Sequence, residues 1–157
     1  MLAGLILMSK VSNIPDAHNI LRHAKKKHLG WELDSNGKPL SIKTCYPDLF
    51  KLRQLEKALS VNWIEFFDGT EQERIEKTIK DFSSSYEVKK YDAFAKFNVG
   101  EFKKICIEHS AKVRVIHEAT KSIKSHSSIT QLPQDNALLL DDLCKVAYGA
   151  LVRSGIV

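Results

Sequence analysis

Three groups of side chains in this chain have the types and spacing for chemistry. Histidines stand at 18, 23 and 28, five residues apart. Imidazoles bind metals or act as bases near neutral pH. On a helix, however, five residues turn the chain by about 500°, so the three rings diverge and cannot share one ion. No HExxH pair or Cys/His zinc spacing is present, and neither a metal nor a cofactor is expected. A second group, His109, Arg114, His117 and Glu118, forms one charged patch if the segment is helical, since Arg114 then neighbours both His117 and Glu118. Such a patch offers a base and a cation for a developing phosphoryl charge. The plainer reading is a hydrogen-bonded core histidine beside a surface ion pair. In the third group, cations and rings interleave: Arg22, Lys25, Lys26 and Lys27, then Tyr86, Lys89, Lys90, Tyr91, Phe94, Lys96, Phe97, Lys103 and Lys104. Single strands of nucleic acid are held this way, with cations on phosphates and rings on bases. Buried aromatics flanked by snorkelling lysines would produce the same string.

Arg22 to His28 reads RHAKKKH, with five residues between the arginine and the histidine. This resembles the Arg-x(4–6)-His signature of the HEPN ribonucleases, helical proteins in which such a pair cleaves RNA at a dimer interface. The resemblance covers seven residues near the N-terminus, whereas in that family the signature lies late in the chain. It implies a metal-independent ribonuclease acting through Arg22 and His28; His109 and His117 are the alternative pair for the same activity. Gly-rich phosphate loops, GxSxG and paired-carboxylate nuclease motifs are absent from the sequence, and Asp141-Asp142 is the only adjacent acidic pair.

At 157 residues, 43% hydrophobic and 27% charged, the chain has the size and composition of one globular domain with its own core. Cys45, Cys106 and Cys144 are odd in number and far apart, which suits free thiols in a reducing compartment. The apolar MLAGLILM start is too short for a membrane span and lacks the basic residues of a signal peptide, so residues 1–8 read as an apolar tail and a cytoplasmic location is expected. The net charge is +5, concentrated in residues 1–60 (ten Lys/Arg against five Asp/Glu) and 86–126 (nine against five). Two basic zones point to a polyanionic partner.

Hydrophobic spacing assigns these residues mostly to helices. The first is expected from Pro15 to about His28, with Ala17, Ile20, Leu21 and Ala24 inward, and a second opens at Pro47-Asp48 with Leu49, Leu52, Leu55 and Leu59 inward. Between them Asn36-Gly37 marks a small β-hairpin near residues 31–43. Thr70 to Glu73 is a capping box that starts a helix burying Ile75, Ile79 and Phe82. Val88, Tyr91, Phe94 and Ala95 have helical spacing, and the longest helix is expected over 101–123, with Phe102, Ile105, Cys106, His109, Val113 and Ile116 on one face. Residues 124–134 read as a loop, and a last helix runs from about Asn136 to Arg153. The fold class expected is therefore mainly α: a single-domain bundle of five to seven helices with one hairpin. The function expected is a small basic nucleic-acid-binding protein, non-enzymatic, or an accessory subunit in a larger complex. Its partners would be DNA or RNA, or protein subunits, with no membrane and with homo-oligomer formation left open. The HEPN-like ribonuclease and a protein–protein interaction module are the alternatives.

Overall fold

The structure, a computed structural model, describes residues 12–153; the apolar tail at 1–8 lies outside them. The strands are β1 (Ser12–Asn13), β2 (Asn19–Ala24), β3 (Leu29–Leu33), β4 (Pro39–Cys45), β5 (Leu59–Trp63), β6 (Ala93–Asn98), β7 (Arg114–His117), β8 (His126–Thr130) and β9 (Leu151–Val152). The helices are α1 (Glu71–Ser83), α2 (Val99–Glu108) and α3 (Ala137–Gly149). Seven strands make one sheet in the order β1-β7-β8-β5-β2-β6-β9, and every pair in it is antiparallel. β3 and β4 form a separate two-stranded ribbon.

Register fixes which side chains share a face. Leu21 pairs with Asn62, His23 with Phe94, Asn62 with His126 and Ser60 with Ser128, so these residues project to one side. On that side α1 lays Ile75, Ile79 and Phe82 over Leu21, Ile64 and Phe94 as a small apolar cluster. Ile20, Ala24, Val61, Ala95, Phe97, Val115 and Ile129 point to the other side. There they join Phe102 and Cys106 of α2 and Leu139, Leu140, Leu143 and Ala147 of α3 in the main core. Cys45, Cys106 and Cys144 are free and buried in this core, and burial pushes their thiols up to about 11, 11 and 12.

The helical bundle expected from the sequence is thus overturned: the chain is mostly antiparallel sheet with three helices among the described residues. The physical reason lies in the central strands. β2 and β6 are covered on both faces, so buried residues run consecutively instead of alternating with exposed ones, Arg22 and His23 among them in β2. In such strands the i, i+3, i+4 spacing arises by coincidence. Residues 15–28 accordingly form β2 and a short 3-10 turn at Lys26–His28, and Pro47 opens only a 3-10 turn, Pro47–Phe50. Leu55, assigned to an inward stripe, is 94% exposed. The helix expected over 101–123 ends at Glu108, and Ser110 turns the chain with φ of 59°. Beyond it exposed Lys112 and Arg114 alternate with buried Val113 and Val115, which is a strand. Residues 124–134 contain β8, an interior strand, in place of a loop.

Local signals with their own chemistry fared differently. The Thr70 hydroxyl accepts from the Glu73 amide and the Glu73 carboxylate accepts from the Thr70 amide, closing the capping box that starts α1. The Asn36-Gly37 turn lies between β3 and β4, with Gly37 at φ of 79°. Asn98 and Asn136 cap α2 and α3 through their side chains. No helix of the described residues is long and apolar enough to cross a membrane.

Candidate functional site: a basic cleft on the α1 face

α1 ends at Ser83, so it covers only part of its sheet face. Where the helix stops, the face changes from apolar to polar. His23 of β2, Ser60 and Asn62 of β5 and His126 of β8 form the floor of a cleft of about 1210 Å³. One wall is the turn Lys25 to His28, a second is the segment from Asp48 to Glu56, and a third is Phe82, Tyr86, Glu87 and Lys89. Six cations line it (Lys25, Lys26, Lys27, Lys51, Arg53, Lys89) against four carboxylates (Asp48, Glu56, Glu87, Asp92).

Two of those carboxylates hold the walls. Asp92 accepts from His23 Nε2 at 2.9 Å and from the backbone amides of Lys26 and Lys89. Burial alone would raise its pKa, but these bonds, led by the Lys89 amide, hold it below the usual value. Glu56 accepts from Arg22 and from the amides of Arg53 and Ser60. Its burial is outweighed by the Arg22 bond and charge, and its pKa falls to about 2. Asp92 and Glu56 therefore tie the lysine turn and the 48–56 segment to the sheet.

The buried histidines are neutral bases by environment. Burial, opposed in part by the bond to Asp92 and aided by Arg53, lowers His23 to about 4. Burial and then the nearby Arg53, Arg22, Lys27 and Lys25 lower His28 to about 3. His28 Nδ1 accepts from the Lys25 amide, so its proton sits on Nε2. Arg53 donates to the His23 carbonyl, while its Nε–H is buried with no partner. Lys25, Lys26, Lys27 and Lys89 are exposed. Tyr86, 57% exposed, stacks at 5.1 Å and 21° on the ring of Phe82.

Of the residues singled out from the sequence, Lys25, Lys26, Lys27, His28 and Lys89 come together here. Arg22 does not reach the cleft: it is 1% exposed and donates to the carbonyls of Leu49, Lys51 and Ser60 and to Glu56. Arg22 and His28 are on a strand and a 3-10 turn, so the helical setting implied by the HEPN resemblance is absent. Tyr91 meets Trp31 edge-on, with Lys26 and Lys90 at 5.2 and 5.5 Å from its ring centre. Lys96 pairs with Glu71 and Lys103 with Asp16, while Lys104 is an exposed residue of α2. His109 is bonded to Asp142 at 2.7 Å, whereas His117 bonds the Lys124 carbonyl and packs on Trp63. Those two histidines share no partner among the described residues, and Arg114 and Glu118 form no ion pair there. Nor do three or more metal-ligating side chains gather anywhere in the described residues.

Sequence reasoning missed Lys51, Arg53, Glu56, Ser60, Asn62, Asp92 and His126. They come from distant segments, and only the pairing of β2, β5 and β8 brings them together. No family model, curated protein or solved structure matches the chain.

Proposed function

We propose that the protein binds single-stranded nucleic acid in this cleft. The observation that carries the proposal is the pairing of four exposed lysines with an exposed ring in one concavity. Lys25, Lys26, Lys27 and Lys89 supply phosphate contacts, and the open face of Tyr86, backed by Phe82, is a platform for a base. Asp92 supports the reading because it bonds the backbone amides of both lysine-bearing turns and holds those turns together. Base stacking needs an unpaired base, which favours a single strand over a duplex.

The test is fluorescence anisotropy with a labelled oligonucleotide of about a dozen nucleotides, single-stranded and as duplex. Wild type should prefer the single strand. Tyr86→Ala should weaken that binding about 5- to 150-fold, the range for one lost base stack, and Tyr86→Phe should retain it. Equal affinity for the duplex, or a Tyr86→Ala variant that binds like wild type, would rule out the stacking platform.

A further inference from the structure

β5 and β8 lie side by side at the floor of the cleft, with Ser60 and His126 on the same face. The tautomer of His126 follows from its partners. Nδ1 is 2.8 Å from the Glu118 carbonyl, which can only accept, so Nδ1 carries the proton. Nε2 is left with a lone pair, and it lies 3.4 Å from Ser60 Oγ. The hydroxyl is therefore the donor of that contact and the imidazole its acceptor. Nucleophile, base and a third group orienting the base are the recurring parts of covalent catalysis, and their contacts run long before substrate binds. The backbone of Ser60 is held on both sides, its amide by Glu56 and its carbonyl by Arg22. Arg53, with its unpartnered Nε–H, lines the same cleft.

We propose that Ser60 and His126 are a nucleophile–base pair for metal-independent cleavage of a phosphodiester, an assignment that rests on the strand-binding reading of the same cleft. Ser60 Oγ attacks phosphorus while its proton passes to His126 Nε2. The ester P–O bond to the departing strand breaks, and the departing oxygen takes that proton. Water then attacks the phosphoserine, gives a proton to His126, and the P–Oγ bond breaks as Oγ is reprotonated. The net reaction consumes one water and yields a phosphomonoester and an alcohol. The Glu118 carbonyl stabilises the imidazolium formed in each half, and Arg53, which lines the same cleft, is the cation available to the charge that builds on phosphorus. Because the nucleophile belongs to the protein, the reaction needs no 2′-hydroxyl and applies to DNA as well as RNA.

A fluorophosphonate reports on this pair directly, since Oγ displaces fluoride from phosphorus and leaves a stable adduct. The full chain should gain one adduct, mapped by peptide mass spectrometry to Ser60. Ser60→Ala should gain none, His126→Gln should react at least about 100-fold more slowly, and saturating single-stranded oligonucleotide should slow the wild type. No adduct, an adduct on another residue, or a His126→Gln variant as fast as wild type would overturn the assignment. Mapping the wild-type adduct decides this even if a variant fails to fold. Oligonucleotide binding without an adduct removes the catalytic pair and leaves strand binding intact. An adduct on Ser60 that oligonucleotide does not slow overturns the phosphodiester substrate.

Discussion

Along β2 the side chains of Ile20 and Ala24 enter the continuous apolar core beneath α2 and α3, whereas Leu21 and His23, one residue out of step, face α1 and the cleft. The same strand therefore serves two surfaces with different physics. On the first, two helices close the sheet, and stability comes from area removed from water. On the second, α1 packs on Leu21, Ile64 and Phe94 and, through Phe82, on His23, and the floor beyond it is polar. Order there comes from two saturated carboxylates, Asp92 and Glu56. Preorganised polar walls on a sheet are what the proposed strand-binding surface requires, and the closed face supplies the stability that such a surface lacks.

Substitutions should separate the two. The largest effects are expected where burial is complete. On the closed side Phe102, 0% exposed, changed to Ala should cost about 3–5 kcal/mol. Arg22→Ala should cost about 2–4 kcal/mol, because it removes a fully buried cation and strips Glu56, a largely buried carboxylate, of its ion pair. Urea titrations of both variants check these values, and an Arg22→Ala protein as stable as wild type would contradict the anchoring role of Glu56.

A smaller effect separates the faces by pH. His23 and His28 have folded-state pKa values of about 4 and 3, below the ordinary 6.5, so the unfolded chain takes up protons first. Their contribution to stability is complete above 6.5 and is lost as the pH falls toward 4 and then 3. Stability should drop by on the order of a few kcal/mol across that window. The deficit of Phe102→Ala relative to wild type should stay constant through it. Melts at several pH values measure both. The smallest effect is at Leu55, which combines a φ of 74° with 94% exposure. Leu55→Gly should stabilise the fold by up to about 1 kcal/mol by removing left-handed strain, and a destabilised variant would contradict that geometry.

The comparison also explains what was legible in the sequence. Thr70 with Glu73 and Asn36 with Gly37 were readable because each signal is complete within four residues. Strands covered on both faces were not: in β6 Ala93, Phe94 and Ala95 are all buried, and no alternation survives to mark a strand. Ile116 was expected to be buried and is, but as a strand residue paired with Ser128 and not as part of a helical stripe. At the cleft, the lysine run at 25–27 was visible as charge. Arg22, on the strand before that run, faces away from the cleft because a strand alternates sides and its neighbour His23 takes the cleft side. Ser60 and His126 are 66 residues apart and carry no local motif.

The most direct test of the open face as a strand-binding surface is the salt dependence of single-strand affinity. Four exposed lysines, each displacing about 0.7 of a counterion per phosphate, give an expected slope of log K against log salt of about −3. Replacing Lys25, Lys26 and Lys27 by Glu should flatten the slope to about −1 or less while leaving the closed face and the unfolding midpoint in urea essentially unchanged. A wild-type slope near zero, or a triple variant with the wild-type slope and affinity, would show that nucleic acid does not occupy the cleft.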